Sequence, residues 1–251
     1  MFNKYLNLVF DGKESRKSGF MCVQLNEGLM SDTFIANKTI NETSAEKRDV
    51  PYFRSVSSSP LEFDLNLLWI NKITEKGEQL LRQWLNKKTY SEFYFKEYPI
   101  RRYFGIMTTA SQNYSGANEG YTSIHIRCNS PYAYSPAFHD YINVPDEGRN
   151  YELWNRGDQL MFPFIEFTKI GDGSLAIVNK TNGNDTLAID NLKDGEVVTI
   201  DNDNEMIESN RDNVYHANDF NDVWLKCPLG RNRLFINGKG KMKMYWRYVY
   251  D

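Results

Sequence analysis

Three cysteines and three histidines are the side chains here best suited to hold a metal or act as nucleophiles. The stretch "SIHIRCNSPYAYSP" gathers His125 and Cys128, with His139 a short way on. A zinc site or a Cys–His pair needs its members on one side of the backbone. On a strand, residues three apart point to opposite faces, so His125 and Cys128 are not expected to share an ion. Cys227 stands alone before Pro228, and His139 and His216 have no ligand spacing around them. Cys22, Cys128 and Cys227 therefore read as small buried hydrophobes. "DNDNEMIESNRD" sets Asp201, Asp203 and Glu205 as in a calcium loop. However, Met206 occupies the sixth position, where that loop turns on Gly, and Asp212 the twelfth, where it uses a bidentate Glu. A solvated turn is the reading, as it is for Arg156-Gly157-Asp158. The chain has no G-x-S-x-G, P-loop, dinucleotide glycine pattern or H-E-x-x-H. No catalytic residue, metal site or cofactor is nominated, and an enzyme is not expected.

Composition narrows the partners. At 251 residues the chain is comfortable for two domains, and one of this size buries roughly 70–75% of its unfolded surface without disulfides. The odd, widely spaced cysteines fit a reducing site of synthesis. No apolar run approaches the ~20 residues of a membrane span, and the first residues lack the basic and apolar regions of a signal peptide. A net charge of −3 gives no basic stripe for gripping nucleic acid.

The elements that would position any site are mostly strands, as 14% aromatics and frequent Asn favour. "YLNLVF" and "FMCVQLNEG" alternate around the turn "DGKES", the second setting Phe20, Cys22 and Gln24 against Met21, Val23 and Leu25. Residues 37–60 are poor in core residues yet carry Tyr52 and Phe53, and read as a hairpin arm or long loop. "LEFDLNLLWI" puts Leu61, Phe63, Leu65, Leu67 and Trp69 on one face of a strand. One helix is expected over about 74–88, capped by Thr74, with Lys87 and Lys88 at its negative end and a stripe of Leu80, Leu81, Trp84 and Leu85. Beyond residues 134–140 the pattern is all strand and turn, the mark of a β-sandwich. Asn182-Gly183, Asp194-Gly195 and Asn237-Gly238 are hairpin signals there. In the last strand Met242, Met244, Trp246, Tyr248 and Tyr250 are set against Lys241, Lys243, Tyr245 and Arg247.

Four motifs then appear in order: Cys128 to Ser135, Asn155 to Ile165, Ile200-Asp201, and Leu229 to Asn232. Together with looser matches at "FDGKES", "RDVPYF" and "FKEYPIRRYFGI", they resemble the distal tail proteins of long-tailed siphophages, the hub of the baseplate. The Lys226-Cys227-Pro228 run is a local departure from that pattern.

The resemblance implies a mainly β fold. Its ring-forming N-terminal domain, 1–135, is a β-sandwich with one helix and an extended β-hairpin belt at about 37–60. A galectin-like C-terminal β-sandwich follows at 136–251. It also implies a structural virion protein, made and assembled in the host cytoplasm, that forms a homo-hexameric ring at the distal end of a non-contractile tail. The ring would join the tail tube protein to the tail-tip or tail-associated protein, near the receptor-binding protein. Its pore would pass the tape measure and then DNA, without specific binding and without membrane insertion. On this reading Arg48, Asp49, Tyr52, Phe53 and Arg54 lie at the assembly interface, and Pro131, Tyr132, Tyr134 and Pro136 at the interdomain junction. The alternative is a carbohydrate-binding module that recognises cell-wall saccharide, with Trp154 and Trp224 as an aromatic platform; buried core is the competing fate of each.

Overall fold

The computed structural model describes residues 7–23, 36–46 and 48–251. The alternation read at Tyr5, Leu6, Gln24 and Leu25 lies outside them. The chain divides into two compact units, Met1–Tyr134 with Asp251, and Ser135–Tyr250.

In the first unit one antiparallel sheet runs in the order Lys13–Glu14, Leu8–Phe10, Ser91–Phe95, Arg102–Tyr114, Gly120–Cys128, Glu62–Trp69, Phe20–Val23. Alternation in the strand Glu62–Trp69 buries Phe63, Leu67 and Trp69 and half-buries Leu65. The helix Glu75–Leu85 (α1) follows, with Thr74 Oγ1 accepting from the Gly77 N–H at 3.1 Å. Leu81, Trp84 and Leu85 are buried in the core with Phe10, Phe20 and Phe93. Phe63 meets Phe93 edge-on at 5.5 Å although two strands lie between theirs in the sheet order, so the sheet curls over itself as the sandwich implied for this half, with the helix packed into its core. Two expectations for α1 need correction. Leu80 is 53% exposed, because the stripe is carried by positions 81, 84 and 85. The helix stops at Leu85, where Asn86 closes it onto the Arg82 carbonyl. Asn competes poorly in a helix interior. Lys87 thus falls past the end and pairs with Asp11 at 2.6 Å.

The strands Lys38–Ala45 and Arg48–Ser58 pair with each other as a separate two-stranded ribbon.

The second unit is two facing antiparallel sheets. One has the order Phe138–Val144, Gly240–Trp246, Phe164–Lys169, Val197–Asp201, Met206–Ser209; the other Arg149–Asn155, Gly230–Asn237, Gly173–Asn179, Asp185–Leu192. Ile142, Ile165, Phe167, Val198, Ile200, Met242 and Met244 of the first meet Leu153, Leu175, Ile177, Leu187, Ile189, Leu234 and Ile236 of the second in one core. Each such side chain contributes about 1.5–3 kcal/mol on burial. The last strand alternates as expected only to Trp246; Val249–Tyr250 is a separate short strand.

Of the three turn signals, only Asn182-Gly183 joins two paired strands. Asp194-Gly195 and Asn237-Gly238 instead carry the chain from the four-stranded sheet to the five-stranded one. Gly195 and Gly238 both have positive φ, 73° and 115°. The dipeptide chemistry fixes a tight reversal, and both dipeptides make one here, but it does not choose the sheet that the next strand joins. The hairpin that does occur at Asp201–Met206 is the stretch that had the look of a calcium loop. There Asp201 Oδ1 accepts from the N–H groups of Asp203 and Asn204, which makes it a turn closed by its own carboxylate.

Candidate functional site

The arm is the part of the molecule whose residues are least explained by its own fold. Every residue of Lys38–Ala45 is exposed, and every residue of Arg48–Ser58 except the half-buried Pro51. Ile40, Val50, Tyr52, Phe53 and Val56 are exposed by 46–67%. Tyr52 pairs with Thr43 and Phe53 with Glu42, so the two rings, as strand neighbours, stand on opposite faces of the ribbon. Arg48 lies 4.4 Å over the Tyr52 ring, and Arg54 Nε donates to Thr43 Oγ1 at 2.5 Å. Asp49 is exposed beside them. The arm thus presents apolar groups on both faces, bordered by two arginines and an acid.

The residues expected at the junction are all half-buried. Tyr134 belongs to the first unit: it pairs with Arg102, and its ring meets Phe104 edge-on at 5.7 Å. The Tyr132 N–H donates to Ser130 Oγ, tightening the turn around Pro131. Pro136 is the second residue of the second unit, its carbonyl accepting from the hydroxyl of the buried Ser135 that opens it.

Trp154 and Trp224 do not form a shared platform. Trp154 is 48% exposed on the outer side of its sheet, between the inward Leu153 and Asn155. Trp224 is half-buried against the core and packs on Phe220 at 4.6 Å.

His125 and Cys128 do face apart. The imidazole meets Asp64 at 2.8 Å on the outer side, and the thiol is buried. Burial pushes the thiols of Cys22, Cys128 and Cys227 up to about 12, so each is a protonated, unreactive thiol at neutral pH. Among the described residues no three His, Cys, Asp or Glu converge as a metal site.

Two buried polar clusters escaped the sequence reading. In one, four asparagines hold four successive residues of the irregular stretch Leu225–Pro228. Asn202 Oδ1 accepts from the Leu225 N–H; the amides of Asn179, Asn155 and Asn232 donate to the carbonyls of Lys226, Cys227 and Pro228 at 2.8–3.0 Å. All four asparagines are at most 3% exposed. Asn155 and Asn232 belong to the motifs that carry the resemblance, and Asn202 directly follows a third. In the other cluster, buried Glu196 accepts from the Ser209 hydroxyl, from the Lys193 N–H and at 2.8 Å from His216, whose second nitrogen meets Asp219. Burial opposes ionisation of Glu196, but these partners outweigh it and hold its carboxyl below the usual range. The Asn191 amide, then His216, do the same for Asp219. Neither cluster shows periodicity in sequence, because its members come from separate strands and loops.

Comparison with known proteins agrees with this architecture. Residues 4–130 match a family described as the phage tail protein N-terminal domain, and residues 132–246 one described as the phage tail C-terminal domain. The SPbeta prophage-derived uncharacterized protein YomH of Bacillus subtilis (strain 168) is 29% identical over 244 residues, 96% of each chain. The crystal structure of the SPP1 Dit protein, described as a paradigm of the hub adsorption apparatus in phages infecting Gram-positive hosts, superposes with a TM-score of 0.72 at 12% identity. That match covers 99% of this chain and 100% of the other. A chain of the phage P2 baseplate in its activated conformation with Ca gives 0.60 at 9% identity over 97% of both. The sheet, helix and arm of one half and the sandwich of the other are thus the N- and C-terminal domains of one family: the chain belongs to the phage tail proteins, with the fold of a siphophage distal tail protein.

Proposed function

We propose that this chain is a non-enzymatic structural hub at the distal end of a long, non-contractile phage tail. Six copies close a ring that joins the tail tube to the tail-tip and receptor-binding apparatus, and its pore passes the tape measure and DNA. The first unit builds the ring, and the galectin-like second unit projects from it. The arm is the observation that carries this reading. A two-stranded ribbon is marginal by itself, and this one exposes Tyr52 and Phe53 on opposite faces with no core of its own. Head-to-tail contacts close rings, and they suit an element that leaves one subunit to be buried by the next. Arg48, Asp49 and Arg54 would then pair at the polar rim of that contact.

The double substitution Tyr52→Ser with Phe53→Ser tests it. Light scattering of the purified wild type is expected to give a hexamer, and electron micrographs a six-fold ring with a pore. The variant is expected to remain a monomer with an unchanged circular dichroism spectrum and melting temperature. Hexamers that persist in the variant would overturn the role of the arm.

A further inference from the structure

The outer face of the five-stranded sheet carries an aromatic cluster that the fold does not use. Register sets His139 beside Tyr245 and Tyr245 beside Phe164; one pleat along, it sets Tyr141 beside Lys243 and Lys243 beside Glu166. These side chains alternate with the buried Ile142, Met242, Met244, Ile165 and Phe167, so all six stand away from the core. The ring centres are 5.6–6.0 Å apart for His139 with Tyr141, His139 with Tyr245, and Phe164 with Tyr245. Their planes are inclined by 42–87°, so they make a corrugated surface of walls and floors. Tyr141 is 67% exposed and Phe164 37%. Lys243 Nζ lies 4.6 Å from the Tyr245 ring centre and 5.3 Å from that of Tyr141, which holds a cation within the aromatic surface.

The geometry points to a saccharide-binding surface formed by His139, Tyr141, Phe164 and Tyr245, with Lys243 and Glu166 as its polar contacts. A pyranose presents an apolar C–H face ringed by hydroxyls. Inclined rings offer that face a floor and a wall, while an ammonium donates to hydroxyl oxygens and a carboxylate accepts from hydroxyl hydrogens. Three strands spaced ~4.8 Å apart make the surface about 10 Å across, on the order of a disaccharide. A protein partner fits less well, because the buried centres of protein interfaces are depleted of Lys and Glu, and here both stand among the rings. The inference concerns the second unit and does not rest on ring formation.

The full-length protein is titrated by calorimetry, and by saturation-transfer NMR, with hexaoses of glucose, galactose and N-acetylglucosamine and with an oligogalacturonate as the acidic arm. Binding of at least one in the millimolar range or tighter is expected, with transfer to the sugar C–H protons. Tyr141→Ala with Tyr245→Ala should weaken it at least about tenfold. Trp154→Ala, on the opposite sheet, should leave it unchanged, as should the arm variant. Should the double variant lower the melting temperature, Lys243→Met and the highly exposed Tyr141→Ala alone provide the same test. Three results would overturn the assignment: no transfer from any of the four sugars, undiminished affinity in the tyrosine variants, or loss of binding on Trp154→Ala.

Discussion

Asn179 is fully buried, and its amide donates both to the Lys226 carbonyl and to Asn232 Oδ1. Replacing it with Ala leaves both acceptors in the interior without that donor, and such a loss costs about 1–3 kcal/mol per unsatisfied group. Urea unfolding of Asn179→Ala should therefore show the second unit destabilised by at least about 1 kcal/mol, against no change for an exposed site such as Asn150. Acid acts on the other cluster. Glu196 and Asp219 have folded pKa values below their ordinary ones of 4.5 and 3.8. The stability that they contribute is complete above the ordinary carboxylate range and is lost as pH falls through and below it. The urea midpoint of the second unit should drop on acidification through that range, and Glu196→Gln should flatten the drop while lowering stability at neutral pH. A midpoint equally sensitive to acid in the variant would remove the cluster from the account.

Among the elements, α1 is the one whose start the sequence marks by side-chain chemistry. Thr74→Ala removes the bond to the Gly77 N–H and should cost about 1 kcal/mol, read as a lower unfolding midpoint for the first unit. Strands were legible wherever alternation met a core, as at Phe63, Leu67 and Trp69. The arm was legible as an absence of core residues around Tyr52 and Phe53. Beyond the Asn182-Gly183 hairpin and the arm, pairing was not legible, and neither was anything that depends on it. Asn237-Gly238 gives its reversal, but whether the chain then returns to its own sheet or crosses is decided by where Met242 and Met244 find their core. For the same reason Trp154 and Trp224 stood out as the saccharide candidates while Tyr141, Phe164 and Tyr245, separated along the chain, did not. Only register brings those three together. The Lys226-Cys227-Pro228 run, a local departure from the family pattern, lies within the Leu225–Pro228 segment that the four asparagines grip.

At the scale of the whole molecule, two separate cores divide the labour. The first unit carries a sheet, a helix and a ribbon that its own core does not cover. The second carries a sandwich whose outer face bears an unused set of rings. The ribbon has a consequence for the order of events in assembly. Because its apolar groups stand on both faces, a single flat partner surface covers only half of them, and an open row of copies always ends in one arm with nothing around it. In the proposed ring, closing the row would satisfy the last arm and the last acceptor in one step, with no further loss of translational freedom. Partial rings should accordingly be scarce at every protein concentration, and the population should pass from single copies to complete rings over a narrow range. The serines of "SVSSS" and the charges from Arg48 to Arg54 blunt the exposed ribbon against indiscriminate strand pairing.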